Sequence, residues 1–255
     1  MKGSTILRVL SSSRFSASNI TVENGTLDSL VRVNTDSAHV EYVTIRNSKF
    51  QSQMVEISAV IDIMLQFWSL QDVGLSSDGF LLSTQSGESS ISDVSASSIF
   101  RIEHSDSGSV YLFNLGEGYT KLTDSTFFDT LQLEGVINSQ DNITVQSVNM
   151  ANMRGSSTLL QAFGTQTEYI DMKFSNVSVE VRLMFYNPPG AGKLTLRNCS
   201  LLDSVLSEFL EIASRSEDCE LDIEQLVVDT LTNVAVLIEF IGLGSARITS
   251  SLFQY

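Results

Sequence analysis

The sequence predicts an all-β fold: a parallel β-helix (β-solenoid) of about ten coils, roughly 25 residues per coil, the range of solenoid repeats. Three observations predict it. A phrase of apolar, polar, apolar, any, small polar, two of any kind and then usually apolar recurs ten times. It starts at Ile20, Val43, Leu65, Ser89, Thr120, Ile143, Met172, Leu194, Leu221 and Ala246. Its third position is always apolar (Val22, Ile45, Phe67, Ile91, Leu122, Val145, Phe174, Leu196, Ile223, Ile248) and its second always polar, the alternation of a strand with one buried face. Its fifth position is small or polar: Asn24, Asn47, Ser69, Asp93, Asp124, Ser147, Asn176, Asn198, Gln225 and Ser250. Asn and Asp suit a bend because they tolerate left-handed backbone angles. The eighth position returns to apolar except at Asp72.

A second strand follows each phrase. Leu30-Val31-Arg32-Val33, Met54-Val55-Glu56-Ile57, Ile99-Phe100-Arg101-Ile102, Leu159-Leu160-Gln161-Ala162, Phe209-Leu210-Glu211-Ile212 and Leu237-Ile238-Glu239-Phe240 share one pattern. Turn-rich links are expected at 34–38, 85–90, 105–109, 187–192 and 242–245. Stacked in register, the fifth-position side chains would form a hydrogen-bonded ladder. A β-sandwich would not hold one column apolar and its neighbour polar through ten units. A leucine-rich repeat requires a Leu-x-x-Leu-x-Leu frame. The best helical stretch, Leu201 to Ile212, overlaps a predicted strand.

The periodicity resembles that of the right-handed parallel β-helix class, the pectin-lyase-like superfamily. Within it, the chain is similar to large repetitive surface or adhesin-like and polymorphic outer-membrane-type β-helix proteins. The resemblance implies a fold; sites, not folds, carry function.

Residues 1–255 read as a single β-helix domain. Ile6-Leu7-Arg8-Val9 matches a second strand without its first, and Tyr255 follows a first strand directly, so the expectation is an internal segment of a longer solenoid or ends docked on other material. The formal charge of −15 argues against nucleic acid, which needs clustered Lys and Arg, and disfavours anionic membranes. No stretch suits membrane insertion; Val234 to Leu243, the longest apolar run, is interrupted by Glu239. Cys199 and Cys219 fall at different places along their coils, too far apart for a disulfide. Cys199 is expected in the core and Cys219 in a turn.

Sequons occur at Asn19, Asn24, Asn142, Asn176 and Asn198. Asn19 and Asn142 precede strands and are the better glycan acceptors; Asn24, Asn176 and Asn198 sit in the bend column, where an inward ladder role competes. Polygalacturonase-like sites combine Asn-Thr-Asp, Asp-Asp, Gly-His-Gly and Arg-x-Lys. Only Asn34-Thr35-Asp36 occurs, in an expected turn, so no catalytic residue is assigned. Asp93 and Asp124, with Asp72 near, are a weak calcium candidate against the simpler reading of a polar bend ladder. No other cofactor is implied. His39 and His104 read as exposed turn residues, and Gly190-Ala191-Gly192-Lys193 as a turn. Trp68, the sole tryptophan, falls in an outward column, where it could meet a glycan or a protein partner or pack under a loop. Tyr111 and Phe113 precede a segment, Asn114 to Tyr119, expected to protrude and to carry any specific binding.

The functional expectation is a structural, non-catalytic, extracellular β-helix segment of a cell-surface, stalk or filament glycoprotein. It would act by rigidity and surface interaction, and its partners would be other segments or subunits of a surface assembly. The alternative is a carbohydrate-binding or polysaccharide lyase-like β-helix, with Trp68, Asp93 and Asp124 as its first test residues.

Overall fold

A computed structural model describes residues 5–10, 12–85, 87–102, 110–129, 133–214, 216, 218–242 and 244–254. The chain winds as an all-β parallel β-solenoid of about nine turns, and no helix occurs among the described residues. Ten rungs bound those nine turns. At about 4.8 Å per turn they span about 43 Å.

Each rung crosses three main faces. Face one includes the strands Thr5–Val9, Phe80–Thr84, Tyr111–Leu115, Gly135–Ser139, Thr158–Ala162 and Val236–Ile241. Face two includes Tyr119–Thr123, Ile143–Gln146, Gln166–Ile170, Lys193–Arg197, Glu220–Glu224 and Ser245–Thr249. Face three includes Thr126–Phe128, Asn149–Ala151, Lys173–Ser175 and Leu252–Phe253. Longer strands, such as Ser29–Phe50 and Val55–Leu75, run through several faces without a break. The pairings between rungs are parallel, as direct stacking of coils requires.

Two apolar files run up the interior. The file of face two is Ala17, Val40, Leu65, Ile91, Leu122, Val145, Tyr169, Leu196, Ile223 and Ile248. The file of face three is Val22, Ile45, Leu70, Ala96, Phe127, Met150, Phe174, Leu201, Val228 and Phe253. In every rung the two members lie five residues apart. Except for Ala17, Ile248 and Phe253, all are buried, and burying such a side chain contributes about 1.5–3 kcal/mol.

The repeated phrase therefore occurs twice per rung, and reading it as one column merges two files. Val22, Ile45 and Phe174 belong to face three, whereas Ile91, Leu122, Val145, Leu196, Ile223 and Ile248 belong to face two. Phe67 belongs to neither. It is 43% exposed, and the third place above Val22 and Ile45 is taken by Leu70.

The cause is a left-handed bend at both ends of face three. The bend between faces two and three is Asn19, Tyr42, Phe67, Asp93, Asp124, Ser147, Asp171, Asn198, Gln225 or Ser250. Five residues later comes Asn24, Asn47, Asp72, Ser98, Asp129, Asn152, Asn176, Asp203 or Thr230. All have φ between 47° and 58°. A left-handed residue points its side chain outward and turns the next residue inward. Asp72, the exception to the eighth-position rule, is one of these bends, and Trp68, directly after one, is interior.

Serine completes several bends. Ser48 Oγ accepts from Gly25 N at 3.2 Å on the rung below and donates to Arg46 O at 2.8 Å. Ser125 does the same for Val94 N (3.2 Å) and Thr123 O (2.7 Å), and Ser204 for Val177 N (3.1 Å) and Leu202 O (2.8 Å). Ser251 repeats the arrangement with Leu226 N and Thr249 O. The bend pulls one main-chain N–H out of the regular ladder, and the hydroxyl replaces the missing acceptor, as a buried donor demands.

Two expected local features differ. Residues 34–38 lie inside the continuous strand Ser29–Phe50, so Asn34-Thr35-Asp36 and His39 are in extended chain rather than a turn. Ile99-Phe100-Arg101 continues past the second bend, aligned with Val73-Gly74-Leu75, and the face-one strand two rungs above Val31 is Phe80–Thr84. Leu201 to Ile212, as expected, is strand rather than helix.

Candidate functional site

Trp68 is buried, 1% exposed, with its indole N–H donating to Val40 O at 3.3 Å and its ring meeting Phe80 edge-on at 5.1 Å. It heads an interior aromatic series continued by the stacked Phe80–Phe113 pair and the edge-on Phe113–Phe127 pair. No ligand reaches it from outside, so the expectation of an outward tryptophan is corrected. The apolar-polar-apolar fit of Leu65-Gln66-Phe67 hid a bend occupied by an aromatic residue.

Tyr111 and Phe113 are core residues, and Asn114 to Tyr119 stays within the stack instead of protruding. Gly116 N donates to Leu82 O at 2.7 Å, Glu117 O accepts from Thr84 N, and Gly118 N donates to Asp141 Oδ2. Gly118 has φ 97°, and a Cβ there would overlap the Thr84 hydroxyl, so this tight corner suits glycine.

Asp93 and Asp124 are register neighbours on consecutive rungs, both exposed, with Ser92 Oγ donating to Asp93 Oδ2 at 2.9 Å. Asp72 lies in the other bend column, so the three do not converge. A closer grouping comes from face one, where Glu208, Glu211 and Glu239 place carboxylate oxygens within 4.8 Å of one another. Burial raises the Glu211 carboxyl pKa, Glu208 and Glu239 raise it further, and Arg182 opposes them. Arg182 pairs with Glu211 and approaches Glu208 at 3.6 Å, so a cation is already built into this cluster. Sequence reading missed it because the partners come from rungs whose register was not yet known.

The sequon asparagines separate by position. Asn19, Asn24, Asn176 and Asn198 are exposed left-handed bend residues, so the bend column faces outward and the inward ladder role is corrected. The ladder itself forms on the surface. Asn152 Nδ2 donates to Asp129 (3.1 Å), Asn176 Nδ2 to Asn152 (2.8 Å) and Asn198 Nδ2 to Asp171 (2.6 Å). Asn142 is half-buried, its Oδ1 accepting from Thr165 Oγ1 and Gln166 N, and Thr144 of its sequon is 7% exposed. A fold that needs Asn at bends and Ser or Thr in the strand beyond generates sequons on its own.

Cys199 and Cys219 are free and buried. Cys199 sits in the place of the bend-completing serines, its Sγ 3.4 Å from Arg197 O, and burial pushes its thiol up to about 11. Cys219 lies between strands as expected, but with no exposed surface; burial raises its thiol pKa as well. His39 contacts Glu41 at 3.6 Å on its own strand; His104 lies outside the described residues.

A surface concavity of about 890 Å³ follows the second bend column and includes Asp129, Asn152, Arg154, Asn176 and Glu180 in its lining. Its floor is the amide ladder.

Ion pairs run along the rod. Arg32–Glu56, Glu23–Arg46, Arg182–Glu208, Lys193–Glu220, Arg197–Glu224 and Asp222–Arg247 each join register partners on neighbouring rungs. Arg101–Glu134 also crosses from one rung to the next.

No family model, curated protein or solved structure matches this chain.

Proposed function

We propose that the chain is a structural, non-catalytic β-helix segment of an extracellular surface, stalk or filament protein, working as a rigid spacer with an acidic exterior. The single observation that carries this reading is the direction of its polar chemistry. Bend amides, bend serines and six ion pairs are spent between rungs, where they stiffen the stack. A net charge of −15 fits solubility and cationic partners within a surface assembly. The adjacent finer reading, membership of the pectin-lyase-like class of large repetitive surface proteins, rests on repeat length and stacking.

An antibody to the folded chain, applied to intact and then permeabilised source cells, tests this. Staining of intact cells is expected; staining only after permeabilisation overturns the reading.

The groove along Asp129, Asn152 and Asn176 favours a second reading, a carbohydrate-binding β-helix, since neutral sugars are held by such amide and carboxylate pairs. Saturable binding on a glycan array, lost in Asn152→Ala and measured with and without calcium, would replace the first reading with this one.

A further inference from the structure

Two aromatic residues occupy bends that elsewhere hold mostly short polar side chains. Tyr42 has φ 54° and Phe67 has φ 58°, and both are exposed, at 50% and 43%. A bulky residue in this region is a backbone outlier, and an outlier retained on the surface asks for a use outside the core. Their rings stack face to face, with centroids 4.8 Å apart and planes 12° from parallel. That separation matches the spacing of rungs, about 4.8 Å, so the stack runs along the rod. Phe67 covers one face of Tyr42. The other face points toward the preceding rung.

The bend residue on that rung is Asn19, as the pairs Ser18–Glu41 and Ile20–Val43 fix. Asn19 opens the sequon Asn19-Ile20-Thr21, and both Asn19 and Thr21 are exposed. Among the described residues its Nδ2 donates only to the adjacent Ser18 Oγ, at 3.3 Å. The amide nitrogens of Asn176 and Asn198 are instead engaged in the surface ladder. A sugar joined to Asn19 Nδ2 would begin one rung below the open face of Tyr42, flanked by the small residues Ser18 and Thr21.

We propose that Asn19 carries an N-linked glycan whose first N-acetylglucosamine stacks its C–H face on Tyr42, extending the Tyr42–Phe67 column by one layer. The step is the usual transfer: the amide nitrogen displaces a lipid-linked diphosphate from the sugar's anomeric carbon and loses a proton. The inference rests on the extracellular reading above, because the transfer occurs in the secretory pathway.

The test uses the full chain with Asn24, Asn142, Asn176 and Asn198 changed to Asp, secreted from a eukaryotic host and trimmed to one N-acetylglucosamine. The partner variant is Tyr42→Asp; Asp suits the left-handed bend, whereas Asn would open a new sequon with Thr44. Site-resolved mass spectrometry should find Asn19 occupied, and the sugar's proton resonances should be shifted upfield by the ring in the parent but not in Tyr42→Asp. Enzymatic removal of the sugar should lower Tm by about 2–4 °C in the parent and by under about 1 °C in the variant. An occupied Asn19 with equal Tm changes and unshifted protons overturns the proposal. So does a bare Asn19. If the unaltered chain carries sugar at another sequon while Asn19 is bare, only this inference falls. If none of the five is modified, the secretory part of the proposed function falls with it.

Discussion

Along the column from Asn24 to Thr230 every bend residue is short and polar, whereas the column from Asn19 to Ser250 admits Tyr42, Phe67 and Gln225 at the same left-handed angle. The backbone demand is identical, so the difference lies in what the side chains gain. In the first case amides bond from rung to rung, as Asn176 to Asn152 to Asp129. In the second, Asn198 keeps one such bond to Asp171, while at Tyr42 and Phe67 an aromatic stack takes its place. Bend identity is thus set by local conformation and then adjusted by whatever the outward side chain can touch.

Substitutions can separate the two contributions. Asn152→Ile combines left-handed strain with loss of both ladder bonds and should destabilise by about 3 kcal/mol, read by urea denaturation. Ser204→Ala leaves the buried Val177 N–H without its acceptor and should cost about 2 kcal/mol in the same assay. Ser147→Ile, in the other column, meets the strain without a ladder bond and should cost about 1–2 kcal/mol. If Asn152→Ile and Ser147→Ile cost the same, the amide ladder contributes nothing.

Cys199 supplies a comparison with pH. Its folded pKa of about 11 lies above the unfolded thiol's, about 8.5. The unfolded chain therefore releases this proton first. The stabilisation is complete below about pH 8.5 and fades as pH rises toward 11, by on the order of 3 kcal/mol. Cys199→Ser, placing in this bend the residue found at Ser125 and Ser251, should hold stability at neutral pH and flatten the alkaline decline in pH-resolved melts. The smallest effect is expected at Thr167, fully buried between Ile143 and Leu194, with no hydrogen-bond partner for its hydroxyl among the described residues. Thr167→Val should raise stability by about 1 kcal/mol.

Much of this was legible before any coordinates. Alternation and repeat length specify stacked parallel strands, and the small polar position marks a bend. The twofold use of each phrase was not legible, because Thr120-Lys121-Leu122-Thr123-Asp124 and Met172-Lys173-Phe174-Ser175-Asn176 have the same pattern yet lie on different faces. Only hydrogen-bond register tells them apart. Phe67 and Trp68 exchanged places in the reading for a related reason: an aromatic at a left-handed bend contradicts propensity, and alternation then assigns the wrong neighbour to the core. The Glu208, Glu211 and Glu239 group needed rungs of unequal length to be aligned, which periodicity alone does not do.

The five-residue interval between bends never varies, yet successive rungs differ widely, from 23 residues between Asn19 and Tyr42 to 31 between Asp93 and Asp124. Added length enters on the far side of the turn, beyond the second bend. There a foreign epitope could be grafted without disturbing the winding, while a single residue inserted inside the interval would rotate every later side chain of that rung from inside to outside.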